Sequence, residues 1–225
     1  MTQRNLDVGL RELKEHLIGM AGYVEVAIDS AIQAWRVRSV DRLNQVYEIE
    51  IKVNESHVSI DGDCLRLLAT QQPMAGDLRL ILAVIKINND MERMVDQAVN
   101  IAHNTEYYLK APPSLQLNDL SKMADQVKWM VRNAIDAFVK GDETLAREVC
   151  LRDDQVDAYK NKIFVDILEE IKKDVSILEQ GLNLILIARN LERIGDHATN
   201  IAEDVIFTIS GEDIRHSGRH SQGVK

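Results

Sequence analysis

The sequence predicts an all-α chain of six long antiparallel helices, arranged as two tandem, pseudo-symmetric three-helix bundles. Three observations carry this prediction. Apolar residues recur in steps of three and four over long stretches, the spacing of one face of an α-helix. Three prolines in 225 residues and 4% aromatic residues leave few helix breaks and little of the material of a sandwich or barrel. The phrase MERMVDQAVNIA at 91–102 returns as LERIGDHATNIA at 191–202.

The first helix is expected from the seam Leu10, Leu13, Leu17, Met20, Val24, Ala27, Ala31 and Ala34. Ser39 is placed to cap the second, with Asp41 favourable near its positive end. Leu43, Val46, Ile49, Val53, Ile60 and Leu67 form the second seam, which Pro73 and Gly76 break. Leu80, Val84, Ile87, Met91, Met94, Ala98 and Ile101 mark the third helix. Pro112 and Pro113 then mark a linker. The pattern restarts with Leu120, Met123, Val127, Val131, Ala134 and Phe138, turns at Gly141 and Asp142, and continues as a fifth helix to about Lys173. A sixth helix, from about Ser176, carries Leu184, Ile187, Leu191, Ile194, Ala198, Ile201 and Val205. Residues 1–109 are read as the first bundle, 110–117 as the linker, 118–209 as the second bundle and 210–225 as a flexible tail.

The repeat extends beyond one phrase. SAIQAW at 30–35 resembles NAIDAF at 133–138, and Val46 and Val53 match Val149 and Val156, all at an offset of 103. Leu82, Ile85, Ile87, Glu92, Arg93, Asp96, Ala98, Asn100, Ile101 and Ala102 each match the identical residue 100 positions on. The offset changes between the second and third helices of each unit, where a loop tolerates a change of length. Two tandem three-helix units follow from this pattern.

A net charge of -9 argues against broad electrostatic attraction to nucleic acid or to an anionic membrane. No apolar run approaches the ~20 residues of a bilayer span, and the opening residues hold no apolar stretch of a secretion signal. Cys64 and Cys150 have no CxxC spacing and are read as reduced core cysteines. A cytoplasmic protein without direct membrane insertion is expected.

On the wheel of the sixth helix the apolar seam occupies a sector within about 80° of Leu191, whereas Glu192, Asp196, Asn200 and Glu203 form a separate stripe at about 100–180°. Glu92, Asp96 and Asn100 repeat that stripe in the first unit. The second helix of each unit supplies a facing set, Glu50 and Asn54 in one and Asp153 and Asp157 in the other. Like charges at i and i+4 repel. Carboxylate and amide oxygens brought together from two antiparallel helices suit a hard cation. The spacing leaves open a second reading, in which the stripe is a solvated face whose acids pair with Arg93 and Arg193. A bundle-core di-iron enzyme needs Glu-x-x-His, and none of the six histidines lies three residues after a glutamate. His197, matched by Gln97, is read as a surface or bundle-edge residue, and no Gly-rich phosphate loop is present.

The doubled phrases, together with QQPMAGDLRLILAVIK at 71–86 and GEDIRH at 211–216, resemble the PhoU family of phosphate-signalling proteins from about Leu6 to His216. The resemblance implies two symmetric three-helix bundles and no catalytic activity. It also implies a negative regulator of the phosphate-starvation response, linking the ATPase subunit of a phosphate ABC transporter to a sensor histidine kinase. Such a protein is expected to be a homodimer, held at the inner face of the membrane through its partners. The family's E(D)xxxD motifs hold metal ions, so the resemblance implies iron, manganese, magnesium or zinc at Glu92/Asp96, Glu192/Asp196 and Asp153/Asp157; Asn100 and Asn200 either add an amide oxygen or only cap the stripe with hydrogen bonds. Glu50/Asn54 departs from the motif in its second acid, and Met94 and Val95 replace the Ile-Gly found at 194–195. The alternatives kept beside this reading are a metal-dependent phosphate-binding protein and a generic helical scaffold.

Overall fold

Apolar seams at helical spacing can be buried only against one another, and each expected seam is the inner side of a helix. The computed structural model describes residues 5–110, 115, 118–211 and 214. Six helices run in chain order: α1 Asn5–Arg36, α2 Val40–Gln71, α3 Gly76–Leu109, α4 Asn118–Lys140, α5 Glu143–Lys173 and α6 Leu178–Ser210. No strand occurs among the described residues. Every residue of the five expected seams is buried except Leu80, which packs on the core while partly exposed. The expected linker at 110–117, with Pro112 and Pro113, lies outside the described residues apart from Lys110 and Leu115. The same holds for the expected tail at 210–225, apart from Ser210, Gly211 and Ile214.

The helix ends correct one expectation and refine others. Ser39 holds the extended backbone of an N-cap, yet its side chain makes no capping bond. Asp142 does cap α5, its carboxylate accepting from the Leu145 amide at 3.0 Å. Gly76 opens α3 rather than ending α2, and α6 begins at Leu178 after a 3-10 turn at Val175–Ile177. Gly141 makes the α4–α5 turn at φ 62°, a left-handed conformation that a side chain would strain.

The two units share one continuous core. They meet through α3 against α6 and α1 against α4. The α3–α6 pair is antiparallel: Lys86 reaches Asp204 at 2.9 Å, and four residues on Asp90 meets His197 at 2.7 Å and Asn200 at 3.1 Å. Small residues let α6 sit close to its neighbours. A Cβ at Gly181 would stand 2.8 Å from Ile171 and 2.9 Å from Ile167 of α5. Around the end of α1, Arg38 donates to the Leu109 carbonyl at 3.1 Å within the first unit, and Arg36 crosses to the second unit, donating to the Ser121 carbonyl and the Asp125 carboxylate. The end of α3 and the start of α4 are thus both tied to the turn after α1. Among the described residues no helix is long and apolar enough to cross a membrane.

Candidate functional site

The second-unit acids Glu192 and Asp196 lie where α6 borders α5, and the first-unit acids occupy the repeat-related positions of α3 and α2. Gly195 stands at the α5–α6 border, where a Cβ would make an ordinary 3.5 Å contact with Val156 of α5, and α6 residues beside it meet Asp153 and Asp157. Thr199 of α6 donates to the Asp153 carboxylate at 3.3 Å. Glu192 and Asp153 are half-buried, and Asp157 and Asp196 are exposed. These four carboxylates act on one another. Burial first, then repulsion from Glu192, Asp153 and Asp157, raises Asp196 to about 6, with His197 opposing. Burial also raises Asp153, the Thr199 bond opposes it, and Asp157 and Glu192 add repulsion. Solvent reaches Asp196 and screens part of the effect, so its direction matters more than its size.

One cation already sits among them. Lys160 of α5 donates to Asp157 at 2.8 Å and to Glu192 at 2.7 Å. The sequence reading weighed arginines as internal partners and missed this lysine, although its place three residues after Asp157 was the available signal. Lys160 is raised by its two carboxylate hydrogen bonds, Asp157 first and then Glu192.

The first unit is assembled differently. Glu92 and Asp96 of α3 are half-buried, Asn100 and Asn54 are exposed, and Glu50 of α2 is half-buried. Arg93 lies 3.6 Å from Glu92 and 3.9 Å from Asp96, so the pairing considered for it occurs, loosely. Arg193 makes no such pair among the described residues. No polar contact joins Glu50 or Asn54 to Glu92 or Asp96 there. One turn from Glu50, Tyr47 instead donates to Glu106 at 2.8 Å and touches His103 at 3.2 Å. Burial and that acceptor raise the Tyr47 phenol. Cys150, the counterpart of Tyr47 at the 103-residue offset, is pushed up to about 11 by burial and then by Glu203 and Asp153.

His197 and Asn200 belong to the seam between units, where both approach the Asp90 carboxylate. Asn200 therefore turns its amide nitrogen toward α3. Among the described residues no three or more His, Cys, Asp or Glu side chains converge closely enough to hold an ion as they stand. The donor chemistry of the second unit, four carboxylates on adjoining helices, fits a hard cation. Lys160 occupies the space between two of them.

Repulsion among these acids has a consequence for stability. An acid raised in the fold destabilises the folded state above its folded pKa, and the penalty fades as pH falls through about 6 toward the unfolded value of 3.8. Asp196→Asn is therefore expected to raise the melting temperature of chelator-treated protein at about pH 8, with the difference closing toward about pH 4. Thermal melts of parent and variant across that range check it. An unchanged or lowered melting temperature at the alkaline end would show that the acids do not strain the fold.

Comparison with known proteins places these features in context. The model of the PhoU domain matches residues 17–105 and again 120–205, one match in each unit. The chain is 36% identical over 210 residues to a phosphate-specific transport system accessory protein PhoU homolog of Pseudomonas putida, covering 93% of this chain and 82% of that protein. It is 34% identical over 214 residues to the homolog of Aquifex aeolicus, covering 95% and 97%. The crystal structure of PhoU from Pseudomonas aeruginosa superposes with a TM-score of 0.90 at 34% identity, covering 92% of this chain and 100% of that one. The phosphate transport system regulatory protein PhoU from Streptococcus pneumoniae gives 0.85 at 25% identity, covering 93% and 99%.

Proposed function

The chain belongs to the PhoU family, the accessory and regulatory proteins of phosphate transport, and on that premise we propose that it is an adaptor between a phosphate ABC transporter and a sensor histidine kinase. It is a regulator, not an enzyme. The observation that carries the proposal is the double family match, once on each three-helix unit and together spanning most of the chain. In this reading the ATPase subunit of the transporter and the kinase are its partners, it works at the inner face of the membrane as a homodimer, and it holds the starvation response off while phosphate is plentiful. Complementation tests this. Expressed in a bacterial strain that lacks its own regulator of this type, the protein is expected to restore repression of phosphate-starvation phosphatase in phosphate-rich medium. Full derepression despite normal protein levels would oppose the reading.

The carboxylates support a metal-binding role within this function. Glu192, Asp196, Asp153 and Asp157 would hold a hard divalent or trivalent ion in the second unit. Glu92, Asp96 and Glu50 would do so in the first, with Asn54 giving a neutral oxygen in place of the second acid. A bound ion would supply positive charge that relieves the repulsion among these groups. Elemental analysis of tag-free protein beside Asp96→Asn/Asp196→Asn is expected to find ions in the parent and a loss of most of them in the variant. Equal contents, or none after incubation with iron, manganese and magnesium, would make the stripes solvated faces.

A further inference from the structure

We propose that Lys160 is a tethered counter-ion of the second-unit carboxylates, seated where a metal ion would sit, and that an ion enters there only by displacing it. The inference rests on the metal-binding reading above and adds its regulation. Lys160 projects from α5, yet its ammonium touches one acid of its own helix, Asp157, and one of α6, Glu192, at 2.8 and 2.7 Å. Like an ion, it joins the two helices by bridging oxygens across their border. A lysine can do this reversibly because its charge is compact and its stem is flexible. Space for it to leave adjoins the site, a recess of about 360 Å³ lined by Lys160, Asn161, Phe164, Arg189 and Glu192.

The duplicated chain supplies an internal comparison. The residue 103 positions before Lys160 is His57, which lies 3.7 Å from Asp61 and bridges neither Glu50 nor Glu92. Arg93 approaches the first-unit acids, but only at 3.6 and 3.9 Å and from within α3. The cross-helix clamp therefore belongs to the second unit alone, and the bundle does not need it to form. It also accounts for four acids of suitable chemistry that do not close into a cage. Asp157 and Glu192 are satisfied by the ammonium, while Asp153 and Asp196 remain crowded by like charge.

Calorimetric titration of full-length protein with Mn²⁺ tests this, using Lys160→Gln, Lys160→Arg and Arg189→Gln. Arg189 lines the same recess, so its loss changes the local field by one charge with no direct competitor removed. Lys160→Gln is expected to bind Mn²⁺ about fivefold more tightly, the combined value of two partly exposed ion pairs. Lys160→Arg should stay close to the parent, and Arg189→Gln should change much less than Lys160→Gln. In the parent, reductive methylation read by mass spectrometry should show Lys160 becoming more reactive once Mn²⁺ is added. Equal tightening by Lys160→Gln and Arg189→Gln would overturn the inference, as would unchanged affinity in Lys160→Gln; either leaves the metal reading standing. No Mn²⁺ binding by any of the proteins would overturn the metal reading and this inference together.

Discussion

Ile187→Ala is expected to lower the unfolding free energy by about 2–5 kcal/mol, the cost of lost apolar transfer plus an unfilled cavity. Ile187 is 1% exposed, and its counterpart Ile87 is fully buried in the other unit. The informative part is where the damage appears. Because the buried residues form one continuous core, a cavity in α6 should weaken both units at once. Trp35 of α1 and Trp129 of α4 report on the first and second units separately. Urea unfolding of single-tryptophan versions, each with the other tryptophan replaced by Phe, should give coincident curves that shift together with Ile187→Ala. A first-unit curve that stays in place would mean that the two bundles unfold independently.

The second large effect is expected at the seam between units. Asp204 is almost wholly buried, and Lys86 supplies its ammonium from α3. Lys86→Met removes that charge and leaves a carboxylate without this partner in a poorly solvated place. Breaking a fully buried pair costs roughly 3–5 kcal/mol. Lys86 is 40% exposed, so about 2–3 kcal/mol is expected here. Lys86→Met/Asp204→Leu should recover a large part of the loss, since the poorly solvated carboxylate is removed together with its ammonium partner. Denaturant unfolding of the four-member cycle measures the coupling. An additive double variant would show that the pair contributes nothing.

The seams were legible because burial within a three-helix unit imposes the 3.6-residue period on Leu17, Val53 or Ile194 whatever else the chain does. The second buried side of α6 was less legible. Asp204 looks like a solvated position until Lys86 of α3 reaches it, and His197 likewise until it meets Asp90. His197 was rightly placed at a bundle edge, but only the structure shows that the edge is the seam with Asp90. In the second-unit stripe, the spacing placed Glu192 and Asp196 beside the acids of α5, whereas Asn200, expected in the same stripe, turns to Asp90 of α3. It did not reveal Lys160, because a lysine three residues beyond an aspartate on an exposed helix is ordinary, and its contact with Glu192 depends on the register of two helices. In the first unit, Tyr47, His103 and Glu106 make the polar contact between α2 and α3, which the spacing of the acids did not announce.

The antiparallel α3–α6 pairing also sets a timetable. Helices within a unit are joined by short turns, so their encounters are local and fast, whereas Lys86 and Asp204 are 118 residues apart. During synthesis α3 is complete well before α6 exists. At about 5–20 residues per second, the ~100 residues that separate them take roughly 5–20 s. For that interval the nascent first unit carries the α3 surface that α6 will later cover, including Asp90. That surface holds the charged groups of Lys86 and Asp90, which water solvates until Asp204, His197 and Asn200 arrive to replace it.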